Sequence, residues 1–122
     1  VATLAAYTYS GLSNLLGTRR TRKIGNNTVA ERITDNTLVV TLHGHPIVEL
    51  TESGVVSFTL AGYPTVTTRD RINSLLPAGF RLYQRDWEQY LSTRRGEIIH
   101  VGSTGWITCD DVSGDASLGA LA

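Results

Sequence analysis

The 122-residue chain is 41% hydrophobic and 18% charged, which fits one globular domain able to bury a core without staples and excludes wholesale disorder. Its single cysteine, Cys109, excludes an intramolecular disulfide and makes a reducing compartment the default expectation. Lys plus Arg and Asp plus Glu balance at 11 each, but unevenly: residues 1–30 carry Arg19, Arg20, Arg22 and Lys23 without an acid, and residues 97–122 carry Glu97, Asp110, Asp111 and Asp115 without a Lys or Arg.

Residues 2–16 offer Leu4, Leu12, Leu15 and Leu16 with Ala5 and Ala6 at helical spacing, so a short N-terminal helix is expected, with Gly11 weakening its middle. No basic segment precedes this stretch, and polar residues interrupt it, which argues against a signal peptide. No apolar run approaches the ~20 residues that cross a bilayer. The run GTRRTRKIGNNT that follows reads as a loop with one strand edge, because Gly25, Asn26 and Asn27 tolerate left-handed backbone.

From Thr28 the pattern alternates with period two. VAERITD sets Val29 and Ile33 against Ala30 and Arg32; TLVVTL sets Leu38, Val40 and Leu42 against Val39 and Thr41; VVSFTL places Val56, Phe58 and Leu60 on one face. Short turns at Asp35-Asn36, Gly44 and Glu52-Ser53-Gly54 join these runs into a meander over residues 37–60. In TVTTRDRINSLLP the spacing of Ile72, Leu75 and Leu76 predicts a helix near 68–76, with Thr67 and Asp70 as its N-terminal signature and Pro77 and Gly79 as its stop. FRLYQRDWEQYLS alternates again as two strands, or one strand bulged near Arg85-Asp86, and EIIHV with GWITC reads as a closing hairpin across Gly102–Gly105.

The expected fold is therefore α+β: a mostly antiparallel sheet, a meander of short strands, with one central helix and a short N-terminal helix. Residues 1–122 are expected to form one domain, with a helix and basic arm over 1–24, a sheet-and-helix core over 25–109 and an acidic tail over 110–122 that is mobile or docked onto a neighbour. The predicted core is Leu38, Val40, Leu42, Val56, Phe58, Leu60, Ile72, Leu76, Leu82, Trp87 and Ile107.

Gly25-Asn26-Asn27-Thr28, Leu42-His43, Ile47-Val48, Gly54, Thr65-Val66-Thr67-Thr68-Arg69-Asp70-Arg71-Ile72-Asn73, Leu76-Pro77 and Gly79 together resemble a set of small proteins of tailed bacteriophages, over about residues 24–92. The resemblance implies a phage origin and expression in a host cell. It carries over no catalytic residue, and the basic cluster and the acidic tail lie outside it.

The residues leave three functional readings open for a phage accessory protein. In the first, nucleic acid meets phosphate contacts from Arg19, Arg20, Arg22, Lys23, Arg69 and Arg71 and stacking faces from Tyr83 and Tyr90, with Trp87 a further aromatic of the same stretch that is more often a core residue. Zero net charge counts against it, as do internal partners for the arginines. In the second, opposite charges at the two ends serve a homo-oligomer or the docking of a host or phage protein, in the host cytoplasm or in the virion. In the third, His43 and His45 share a strand face and hold a metal ion or act in a nuclease with Arg81 or Arg85, although a tetrahedral site needs a third ligand. Lone strand histidines are more often surface residues. No glycine pattern cradles phosphate, so no cofactor is expected, and neither is a membrane partner.

Overall fold

The computed structural model describes residues 8–118. Leu4, Ala5 and Ala6 of the expected N-terminal helix and the last residues of the acidic tail lie outside them. Helix α1 spans Tyr9–Leu16 and is followed by five strands: β1 (Thr21–Gly25), β2 (Thr28–Thr34), β3 (Thr37–Leu42), β4 (His45–Thr51) and β5 (Val55–Phe58). Helix α2 (Val66–Asn73) leads to β6 (Arg81–Arg85), β7 (Glu88–Ser92), β8 (Ile98–Val101), β9 (Ile107–Asp110) and β10 (Ala116–Leu118). The strands form two antiparallel sheets, a large one ordered β1-β2-β3-β4-β5-β9-β10 and a small one ordered β6-β7-β8. The α+β meander holds, and the segment from α2 to β8 is an insertion between β5 and β9, which are hydrogen-bonded neighbours.

Period-two burial builds the large sheet. Ala30, Leu38, Val40, Leu50, Val56, Phe58, Ile107 and Cys109 line one face and are buried, while Glu31, Val39, Glu49, Ser57 and Thr108 alternate with them and are only half-buried. The register shifts between Val40 and Thr41, with Val40 opposite Val48 but Thr41 opposite Pro46. This bulge leaves Ile47 as the extra residue, and adjacent Ile47 and Val48 are both buried. Leu12 and Leu16 of α1 join the same core. Arg32 ties that helix to the sheet by donating to Ser13 O at 3.3 Å and Gly17 O at 3.1 Å, a cation placed where the helix dipole is negative.

Helix α2 begins earlier than its sequence pattern suggests. Thr65, extended at φ −97° and ψ 163°, is the N-cap, and its hydroxyl accepts from Thr68 N at 3.2 Å. Thr67 therefore sits in the first turn, and the expected Thr67–Asp70 signature is displaced by two residues. Leu75 and Leu76 lie past the helix yet remain buried in the core cluster.

Three side chains of α2 fasten the two sheets together. Arg71 donates to Thr28 Oγ1 on β2 at 3.1 Å. Arg69 donates to Gln84 Oε1 at 3.1 Å and Gln89 Oε1 at 3.0 Å on β6 and β7. Asn73 imitates a strand backbone: its amide donates to Leu82 O, and its carbonyl accepts from Leu82 N, each at 2.7 Å.

Two expectations fail. Ile98–Val101 and Ile107–Asp110 do not form a hairpin: β8 pairs with β7, whereas β9 pairs with β5. The Gly102–Gly105 segment crosses between the sheets instead, held where Gly62 N donates to Ser103 O at 2.6 Å and Thr59 Oγ1 donates to Thr104 O at 3.2 Å. Trp87 is not in the core either; it occupies the β6–β7 turn at 86% exposure. The other ten predicted core residues are buried.

If Asn73 fastens the helix to β6, Asn73→Ala leaves the Leu82 amide and carbonyl without partners in a part-buried site. Urea unfolding should then show a loss of about 1–3 kcal/mol with little change in the slope.

Candidate nucleic-acid interface

Alternation in the small sheet sorts its side chains by face. Leu82 and Leu91 are buried toward the body of the protein, along with Gln89, which holds Arg69. Arg81, Tyr83 and Arg85 of β6, Glu88 and Tyr90 of β7, and Ile98 and His100 of β8 share the opposite, outer face.

Tyr83 and Tyr90 face each other across the strands, and Tyr90 faces His100. The tyrosine rings stack with centroids 5.7 Å apart and 28° between planes, and His100 meets Tyr90 edge-on at 5.4 Å. Half-exposed rings thus cross three strands in one row. Glu88 is held to His100 at 2.6 Å. Arg81 and Arg85 make no side-chain hydrogen bond or ion pair with the described residues. A shallow depression of about 300 Å³ beside the row is lined by Tyr83, Arg85, Asp86, Tyr90 and Ile98.

The remaining predicted phosphate contacts divide. Arg19 and Lys23 are exposed and unpaired among the described residues, Lys23 on the edge strand β1. Arg20 pairs with Glu31 across the strands at 3.3 Å, and Arg22 donates to Leu15 O at 2.8 Å, a second cation at the C-terminal end of α1. Arg69 and Arg71 are occupied as fasteners; the Arg71 side chain is only 11% exposed and also lies 3.7 Å from Asp70. Both guanidinium groups of the helix are thus already held by partners within the fold.

The acidic end turns to neither the basic cluster nor solvent alone. Asp111 accepts from Arg94 at 2.5 Å, and Asp115 accepts from Arg95 at 3.2 Å. Ala116–Leu118 pair with β9, so over those residues the acidic tail forms a sheet edge.

His43 and His45 do not leave one strand face. His43 and Gly44 form the β3–β4 turn with φ of 52° and 79°, and His45 opens β4, its ring 5.3 Å from Tyr63. Both histidines border a cleft of about 510 Å³ with Leu42, Ile47, Leu60 and Tyr63 among its walls. No group of three or more His, Cys, Asp or Glu able to hold a metal occurs among the described residues, and neither Arg81 nor Arg85 lines that cleft. No helix of the described residues is long and apolar enough to cross a membrane. Sequence reasoning missed His100 and Arg81 as partners of the tyrosines, because only strand pairing reveals that Tyr90 and His100 are opposite each other.

The sequence matches the family described as Kyanoviridae Gp96 protein over residues 12–110. No curated protein and no solved structure matches the chain.

Burial pushes the Cys109 thiol up to about 12, against an ordinary 9.0, because thiolate loses its hydration between β5 and β10. A thiol reagent at pH 8 should leave the native protein unmodified and react fully once urea unfolds it. The raised value also gives the alkaline sign: the unfolded thiol ionises first, so stability should fall as pH rises from 9.0 toward 12.

Proposed function

The chain belongs to the Kyanoviridae Gp96 protein family, a phage family, and from that premise we propose that this phage accessory protein binds single-stranded nucleic acid on the outer face of its small sheet. The observation that carries the reading is the Tyr83–Tyr90–His100 row with Arg81 and Arg85, unpaired among the described residues, on the same face. Aromatic rings spread over an open antiparallel sheet give unpaired bases a surface to stack on, and guanidinium groups beside them reach the intervening phosphates. Stacking needs bases free of a duplex, which makes single strands the natural class.

Charge sets the expected strength. Arg81 and Arg85 are offset locally by Asp86 and Glu88, so few phosphates are neutralised there, and Arg19 before β1 and Lys23 on it supply the other free cations among the described residues. Affinity then rests on stacking more than on counterion release, consistent with a chain of zero net charge.

That same local balance favours a protein partner as the second reading, since tyrosine, tryptophan and arginine are the residues that dominate protein interfaces. Strand-on-strand self-assembly has less support. Of the large sheet's two edges, β1 carries Arg22 and Lys23, charges that oppose pairing, and β10 is only three residues long.

Titration of the protein with fluorescent single-stranded and duplex oligonucleotides tests the proposal. Binding should favour single strands, and its logarithm should fall with the logarithm of salt at a slope of roughly −1.5 to −3, as for two to four phosphates. Tyr83→Ala with Tyr90→Ala should weaken it at least ~10-fold while circular dichroism stays native. Absence of binding at low salt, or binding indifferent to the tyrosine pair, refutes the proposal.

A further inference from the structure

The β6–β7 hairpin closes through two residues, Asp86 and Trp87, with φ of 50° and 67°. Both being left-handed, this is the tight turn whose twist matches paired antiparallel strands, and its favoured sequences place Gly second. Asp tolerates the first position. Trp is among the least suited residues for the second, because its Cβ and ring crowd the backbone in the left-handed region.

Packing does not compensate for the conformation. Trp87 is 86% exposed, so the indole is held in solvent by a strained turn. A residue that suits neither its backbone nor its environment points to a contact made with something else. The surroundings indicate what that is. The turn adjoins the depression formed by Tyr83, Arg85, Asp86, Tyr90 and Ile98, and it follows directly on Arg85. The hairpin is also firmly based, since Arg69 fastens its Gln84 and Gln89 to α2 and to Pro64 O at 3.0 Å.

We infer that Trp87 is a stacking residue that caps one unpaired base at the hairpin tip, to one side of the Tyr83–Tyr90–His100 row, with Arg85 placed for the adjoining phosphate. The inference rests on the nucleic-acid reading and adds to it a residue that recognises the strand at the hairpin tip. An indole held out on a rigid turn loses little freedom when a base covers it, and every base offers a π-face.

The test is Trp87→Gly, measured two ways. Asp-Gly is the preferred pair for this turn, so the variant should fold and its melting temperature should rise by roughly 3–6 °C. Its affinity for an oligothymidylate should fall by about 5- to 150-fold, the size of one lost base stack, and Trp87→Phe should recover much of the loss. In a Trp106→Phe background Trp87 is the single tryptophan, and its fluorescence should be quenched as the same oligonucleotide is added.

Trp87→Gly binding as tightly as the native chain, while Tyr83→Ala with Tyr90→Ala does not, overturns the role of Trp87 and leaves the sheet-face reading standing. No binding by the native chain removes both. Quenching of Trp87 by a purified phage or host protein, with none by the oligonucleotide, assigns the hairpin to a protein interface and overturns the inference.

Discussion

Helix α2 is eight residues long, too short to be stable alone, and the position of the small sheet depends on its three polar fasteners. Arg71 reaches β2 of the large sheet, while Arg69 and Asn73 reach the small one. Ile72 between them is fully buried, so the apolar contact and the hydrogen bonds reinforce each other. Because Leu82 is gripped through its own N–H and C=O, β6 has a fixed height and a fixed rotation. Alternation along β6 and β7 then leaves only one outcome for Tyr83 and Tyr90, which must face outward.

The inserted unit is small, and its outer surface has no cover among the described residues. Such a sheet keeps its inner face apolar for stability and leaves the composition of its outer face free. Here that face holds two tyrosines, a histidine and two unpaired arginines, whereas the half-buried face of the large sheet centres on Ser57 and Thr108, whose hydroxyls bond each other at 3.0 Å. Stability and recognition are thereby separated. The large sheet and α1 hold the core, and the β6–β7 hairpin carries the strained, exposed residue that the core does not need.

Electrostatics follows the same division. The acidic C-terminal region is engaged by Arg94 and Arg95, and Arg94 also lies over the Phe80 ring at 5.5 Å while donating to Ala78 O. Arg22, Arg32, Arg69 and Arg71 bond to carbonyls or side-chain oxygens inside the fold. What remains free among the described residues is Arg19, Lys23, Arg81 and Arg85. Asp35, Glu49, Glu52, Asp86 and Glu97 likewise have no side-chain partner among the described residues, so these cations stand on a surface that stays close to neutral.

Period-two alternation from Thr28 to Leu60 was sufficient to place the meander, and the buried identities of Leu38, Val40, Leu42, Val56 and Phe58 follow from it, because one-residue slips would expose the entire apolar set. Tyr83 and Tyr90 were legible as candidates for the same local reason. Which strands are neighbours was not legible: the assignment of β8 to one sheet and β9 to the other depends on long-range pairing that no local pattern encodes. Nor was the fate of Trp87, where apolar character suggested the core and only the two-residue turn, fixed by the register of β6 on β7, put the indole in water. Local sequence determined which faces are apolar; tertiary structure decided which faces meet, because strand pairing joins residues whose separation along the chain leaves their partners unspecified.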